Sequence, residues 1–415
     1  MTLASTNAAA QLGEPGPEIW ADGPLDVKPG NDPRQPDAAV DHRGRRIFVW
    51  DSNGGTGTSQ EAFLRVFDSD GTSLVGPVQV NTYDTATQDH ARVAVQADGS
   101  FLVIWQSGEP PMPGDNFERR MVRSQAYDAD GQKVGAEQLL STLQSLMATD
   151  IAANVAALAG GGYVVVWQSA QTNGADAGNS IQGRRVNANG TPNGDQFQVN
   201  SDNSSTAEVD CDVAPLADGG FIATWGFFRD IRARRFAADG MPVGNDFVVS
   251  TITLNVLRDE TAVATADDGR VLVVWTDVDE DDNDTEIRGR LLSSTAVPQG
   301  SDFRINSLIT GAQDWPKVAG YGGNFFVVWQ SEFSVGPDGA PFSIEGRLVS
   351  GADAFASSQF LVNQWTDLSQ GFPGMGGKDG LVAIAWRSQS NSETAQNVIQ
   401  GGVWSVCGIF CDGFE

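Results

Sequence analysis

Residues 277–286 read DVDEDDNDTE and set side-chain oxygens at alternate positions, Asp277, Asp279 and Asp281, followed by Asn283 and Glu286. A hard cation needs several oxygens converging on it, and D-x-D-x-D spacing in a loop can wrap them, so calcium is the one cofactor the sequence suggests. Position 282 is Asp rather than a turn-forming Gly, and Arg288 stands twelve from the start. A solvated acidic loop is therefore the competing reading.

Aromatic side chains offer a second kind of chemistry. Tyr83, Phe227, Phe228, Trp315, Phe333 and Trp365 all fall between apolar runs, where exposed rings can stack on sugars or anchor protein partners. Trp315 and Trp365 are the leading candidates. The competing reading for Trp315 is that it packs, with Pro316, the entrance to the next apolar run. Catalytic signatures are missing: there are two histidines, His42 and His90, and no G-x-S-x-G or H-E-x-x-H motif. Carboxylates and tyrosines are the remaining acid–base candidates.

The scaffold that must position these residues is set by seven other tryptophans. Trp50, Trp105, Trp167, Trp225, Trp275, Trp329 and Trp386 each close an apolar run, at separations of 50 to 62 residues. Self-similarity at such a period marks a repeat architecture. The third unit shows the grammar most fully: NVAAL, a Gly-rich turn, YVVVW, a loop, IQGRRV, the turn NANG, and FQVN. Short β-branched and aromatic runs bounded by turns read as strands, four to a unit. Units of this kind predict an all-β, seven-bladed β-propeller with four antiparallel strands per blade. The tryptophans are expected to fill the wedges between blades, not to form a binding ring.

The last unit lacks a fourth strand, whereas ADGPLDVKPG near the N-terminus matches the turn-plus-fourth-strand pattern. Residues 25–27 are therefore expected to complete the last blade and close the ring. The expected organisation is an N-terminal segment over 1–22, one propeller domain over 23–404 and a tail over 405–415. Basic or amide residues recur on the third strand (Arg65, Gln125, Arg184, Arg234, Arg290, Arg347), which suggests a structural ladder. Gln or Asp recurs before the first strand (Gln35, Gln88, Asp150, Asp210, Asp259, Gln313, Gln370), which suggests hydrogen bonding between blades.

In a propeller the loops joining strands two to three and four to one share a face, and here those loops vary while the turns on the other face are nearly uniform. Variable loops on a rigid scaffold are where binding residues concentrate. A formal charge of −27 argues against nucleic acid and anionic membranes as partners, and no apolar stretch is long enough to span a bilayer. The opening MTLASTNAAAQ lacks the basic and apolar regions of a signal peptide but has the composition of a mature secreted N-terminus. Cys211 reads as a buried thiol; Cys407 and Cys411 could form a small disulfide loop.

The segments LADGGFIATW, AGGGYVVVWQS, IQGRRVNANG and FQVNS resemble a repeat widespread in large secreted bacterial proteins, often beside calcium-binding or adhesion modules. The resemblance covers essentially the whole chain and implies extracellular location and binding or adhesion. The expectation is a secreted or cell-surface monomer that recognises extracellular carbohydrate or protein through its variable-loop face. A polysaccharide hydrolase or lyase acting in the central funnel is the first alternative, and a structural spacer without a ligand the second.

Overall fold

The computed structural model describes residues 11–12, 19–21, 34–53, 59–109, 119–142, 150–170, 179–201, 208–251, 256–279, 285–336, 339–351, 354–364, 366, 369–389 and 397–407. Seven antiparallel sheets follow one another along the chain. In the third blade the strands are Asp150–Ala157, Tyr163–Ser169, Ser180–Val186 and Pro192–Gln198, hydrogen-bonded in that order. The other blades repeat this meander, so the chain is a seven-bladed propeller. The first strands touch one another right round the ring, from Arg34–Val40 to Gln370–Lys378 and back, and so line the central channel.

The core is divided among seven seams, one between each pair of blades. The seven periodic tryptophans fill them, each at most 2 % exposed. Trp105 packs against Ile47, Val49 and Leu64 of the preceding blade, and Trp275 against Ile222 and Ala233 of its own predecessor. Each strand-two run is apolar on both faces because one face meets the previous blade and the other the next.

Polar residues of the repeat tie the blades together. Guanidinium groups on the third strands donate to the backbone of the preceding blade: Arg184 to Leu140 O (2.8 Å), Arg234 to Val199 O (2.9 Å), Arg290 to Val249 O (2.6 Å) and Arg347 to Ile305 O (2.7 Å). The expected ladder thus runs to carbonyl oxygens of the preceding blade. The asparagine of the V-N motif accepts a third-strand N–H within its own blade, as Asn200 does from Ile181 and Asn306 from Ile287.

Ring closure uses an N-terminal strand, as the sequence suggests, but at different residues. Ile19–Trp20 pairs with the third strand of blade seven, Ile19 with Gly401 and Trp20 with Gln400. Ala21 N donates to Ile399 O as Val199 N does to Ile181 O, and Arg65 reaches Ala21 O at 3.3 Å, as Arg234 reaches Val199 O. Residues 25–27, the expected closing strand, lie outside the described residues. The PLDV motif drew the expectation because it carries a turn before a short apolar run; EIWA carries the apolar residues without the turn.

Candidate functional site

Every first strand contains a register break, and at every break one non-glycine residue adopts a left-handed backbone. These residues are Gln35, His90, Ala152, Asp210, Glu260, Trp315 and Phe372, with φ between 42° and 57°. A left-handed residue with a Cβ costs roughly 1–2 kcal/mol, and bulges gather where a side chain must be re-aimed. Here the bulge turns N–H groups toward the preceding blade: His90 N donates to Asp51 (3.2 Å), Trp315 N to Glu260 (2.7 Å) and Phe372 N to Gln330 (3.2 Å). All seven side chains line one pocket of about 430 Å³ at the channel mouth. The breaks lie near the starts of the first strands, so the pocket opens on the variable-loop face.

The pocket has three chemically distinct arcs. Trp315 and Phe372 form an aromatic arc, their centroids 5.3 Å apart and their planes at 52°. Asp210 and Glu260, on adjacent blades, form an acidic arc. His90, Asp89 and Arg120 form a charged arc in which one guanidinium nitrogen, Arg120 Nη1, contacts both Asp89 oxygens at 2.8 and 2.7 Å. Ala152 leaves the side between the acidic and charged arcs open.

A second tier lies two residues further along each strand. Asp37 accepts from Val93 N (3.0 Å), Asp212 from Val263 N (2.8 Å), and Asn154 donates to Cys211 O (2.7 Å). Arg92 donates to Ala91 O (2.9 Å), and Lys317 makes no hydrogen bond or ion pair among the described residues. At the corresponding positions Ala262 and Gly374 leave room for these longer side chains. Gly374 also has to be small, since a Cβ there would lie 2.3 Å from Pro36 O.

Burial sets the protonation chemistry. Glu260 is pushed up to about 7 by burial, with Asp314 and Asp259 adding to the rise, against the Trp315 N–H and the Thr276 hydroxyl, which donates at 2.8 Å. Burial, a hydrogen bond with Asp259 and the charge of Glu260 also raise Asp210. Asp212 is pushed to about 6 by burial, and Asp51 to about 7 by burial and the nearby Asp89. Burial and Arg92 depress Lys317. The pocket therefore holds carboxyl groups able to donate or accept a proton near neutrality.

Of the aromatic candidates, Trp315 lines the pocket and is 40 % exposed. Tyr83 lies under the Arg123 guanidinium at 4.5 Å and Phe227 under Arg232 at 4.1 Å. Phe228 and Phe333 are exposed on the same face but do not line the pocket. Trp365 lies outside the described residues. In the acidic run, Asp277 is buried, accepting from Arg258 (2.9 Å) and Trp275 Nε1 (2.7 Å). Glu286 pairs with Arg288 at 2.6 Å. Asp281, Asn283 and the Asp279 side chain lie outside the described residues; among the described residues no cluster of three or more metal-capable side chains occurs.

The recurrent Gln/Asp positions differ from blade to blade. The side chains of Gln88 and Gln313 accept from the indole N–H of their own blade's tryptophan, at 2.9 and 2.8 Å, whereas Gln370 Oε1 accepts across the seam from Asn363 of blade six at 3.4 Å and Gln313 N donates across it to Thr285 Oγ1 at 2.6 Å, as expected of bonds between blades. Gln35 and Asp210 belong instead to the pocket ring. His90, Glu260 and Phe372 have no motif of their own, but each stands 14 or 15 residues before its blade's periodic tryptophan, as do the other ring members.

No protein-family model matches the chain, and no curated protein matches it in sequence. Solved structures share the fold. A fungal alcohol oxidase of the AA5 family in complex with copper aligns with a TM-score of 0.54 at 12 % identity, over 95 % of this chain and 77 % of its own. The K499G mutant of NanB sialidase from Streptococcus pneumoniae aligns at 0.50 and 11 %, over 98 % and 72 %. The Penicillium chrysogenum α-L-arabinanase complexed with arabinobiose aligns at 0.50 and 9 %, over 94 % and 98 %. At these identities the likeness concerns the fold alone.

Proposed function

We propose that the channel mouth binds an extracellular carbohydrate. The carrying observation is the Trp315–Phe372 pair beside Glu260 and Asp210 in a concave pocket of about 430 Å³. Ring faces pack against the C–H faces of a sugar while carboxyl groups exchange hydrogen bonds with its hydroxyls, and the volume lies in the range of small-ligand sites. A flat protein interface would make little use of a recess in a channel. Two of the fold's relatives are, by name, carbohydrate-active, which agrees with this reading without carrying it. A glycan array probed with the wild type, Trp315→Ala and Phe333→Ala tests it. Specific glycan binding lost in Trp315→Ala and kept in Phe333→Ala supports the site; binding indifferent to Trp315 refutes it.

The raised carboxyl groups favour one second reading, a polysaccharide hydrolase or lyase using Glu260 and Asp210 for proton transfer. Product release from a bound polysaccharide, abolished by Glu260→Gln, would establish it. Binding without turnover would leave the binding module.

A further inference from the structure

We infer that the channel-mouth pocket hydrolyses a glycosidic bond of a polysaccharide, with Glu260 as the acid that protonates the leaving oxygen and His90 as the base that activates water. This rests on the second reading above and deepens it: the base is His90, not Asp210, and the reaction is hydrolysis with inversion. His90 lines the pocket from the bulge of blade two, with 36 % of its side chain exposed. Its Nδ1 is shut off from solvent 3.0 Å from Asp89 Oδ1, and Arg120 Nη1 holds both oxygens of that carboxylate at 2.8 and 2.7 Å. A ring nitrogen placed in this way directs its proton to the carboxylate, which leaves the other nitrogen as an acceptor. Nε2 makes no hydrogen bond among the described residues. An imidazole oriented by a carboxylate is an arrangement for taking up a proton. The backbone fixes where the ring points, since His90 is held at φ 56° and its N–H is tied to Asp51 at 3.2 Å.

Glu260 faces this group from the far side. In a ring of seven, blade five is as distant from blade two as any blade can be, and so is blade six, which carries Trp315. Trp315 N and Thr276 Oγ1 both donate to Glu260 Oε2, and Oε1 makes no hydrogen bond among the described residues. Burial pushes that carboxyl up to about 7, so Oε1 has a proton to give near neutrality. Asp210, in contrast, shares a hydrogen bond with Asp259. A sugar resting on Trp315 brings its glycosidic oxygen to Glu260 and turns its opposite side to His90, with a water between. The water oxygen bonds to the anomeric carbon as the bond from that carbon to the glycosidic oxygen breaks. Glu260 Oε1 gives its proton to the leaving oxygen, and His90 Nε2 takes one from the water. The imidazolium rests against Asp89, and a proton passes back through solvent to Glu260, so that one water is consumed and nothing else. Attack from the side opposite the leaving group inverts the anomeric configuration.

The test is release of reducing ends from arabinan, xylan, mannan and β-glucan near neutral pH, with the first-formed anomer read by NMR. The wild type is expected to cleave at least one of them with inversion. His90→Gly, which accepts the left-handed backbone of that bulge without strain, should lower kcat by about 10²–10⁴-fold, the range for one acid–base group, and added imidazole should restore it by about tenfold or more. Glu260→Gln should lose as much and gain nothing from imidazole. Asp89→Asn, which keeps the shape behind the ring and removes its charge, should lower kcat and leave KM nearly unchanged. His42→Gln, on an exposed turn of the opposite face, should change nothing. Thermal melts check that each variant is folded. Activity that survives His90→Gly, or a loss there that imidazole does not restore, overturns the role of His90 and leaves the second reading standing on Glu260. Retained configuration or an unsaturated product overturns the inverting hydrolysis. If the wild type cleaves none of the four, the inference and the second reading fall together, whereas glycan binding through Trp315 is judged separately on the array.

Discussion

The backbone N–H of Trp315 is bonded to Glu260 Oε2 across the seam between blades five and six, at 2.7 Å. The aromatic arc and the acidic arc of the pocket are therefore one mechanical unit: the carboxylate fixes the bulge that presents the indole. Glu260→Ala is expected to destabilise the protein by about 1–3 kcal/mol, the range for orphaning a partly buried donor, and to weaken glycan binding as well. Glu260→Gln keeps an acceptor in place and should recover most of the stability. Urea unfolding of the two variants separates the outcomes; equal losses would mean that the Trp315 N–H finds another partner.

Stability should fall as pH rises across neutrality. Asp51 and Glu260 are held near 7, Asp212 near 6, and Asp37 and Asp210 are raised, all above the 3.8 to 4.5 of the unfolded chain. The native state then binds more protons than the unfolded state between those values. Its stability is greatest at mildly acid pH and is lost as the groups ionise, over roughly pH 5 to 8. Carboxyls that are depressed, such as Asp89 and Asp302, act in the opposite sense but only in more acid solution. Melting temperatures measured from pH 5 to pH 8 should decline, and less steeply in Asp51→Asn, which keeps an acceptor for His90 N. A midpoint that rises over this interval would contradict the assignment.

The tryptophans are not equivalent, although the repeat makes them look so. Trp329 Nε1 donates to Gln313 (2.8 Å), which is itself fully buried, whereas Trp225 Nε1 has no acceptor among the described residues. Both fill a seam at 0 % exposure, so replacing either by Phe removes a similar volume. Trp329→Phe should cost about 1–3 kcal/mol more than Trp225→Phe, because only the former strands a buried amide. Equal costs in denaturant unfolding would show that Gln313 re-pairs.

At Ala152 the ring carries a left-handed backbone without a side chain that could repay it through binding, at φ 51°. Gly tolerates that conformation, at some entropic cost in the unfolded chain. Ala152→Gly should therefore be neutral or stabilising, by about 1 kcal/mol at most, and should leave glycan binding unchanged. A clear loss of stability would indicate that the Cβ packs against the channel.

Blade number, strand order and the structural role of the tryptophans were legible in the sequence because seam packing repeats: every blade buries the same faces, and Trp225 or Trp275 announces the period. The site was legible only in part. Trp315 stood out as an aromatic off the period, but its ring partner Phe372 and the carboxyls of Glu260 and Asp210 occupy a position where residue type varies from blade to blade. What repeats there is the bulge, a backbone property. No composition or hydropathy pattern encodes it, and only its constant offset from the blade tryptophan betrays it. In the acidic run only the two ends can be placed. Asp277 looks like the first ligand of a loop, yet it sits at the end of a strand as the partner of Arg258 and of its own blade's Trp275.

Closure of the ring through Ile19–Trp20 makes a sharp prediction, because the alternative segment is close in sequence. Removing residues 1–21 leaves the third strand of blade seven, Val398–Cys407, without the partner of Gly401 and Gln400, and deprives Arg65 of Ala21 O. The loss of Ile19 and Ala21 burial and of the strand hydrogen bonds should lower stability by on the order of 3–5 kcal/mol. The bared strand edge should also promote self-association, since unpaired edges template pairing with another chain. Replacing residues 25–27 by Gly-Ser-Gly, with 1–21 intact, should leave the urea midpoint and the elution volume on gel filtration nearly unchanged. If instead that replacement destabilises by this amount while the truncation leaves the protein intact, closure belongs to residues 25–27, and Arg65 should then be indifferent to the N-terminal strand. Arg65→Met provides the check: it should cost stability in the full chain and little more in the truncated one, because both remove the same contact to Ala21.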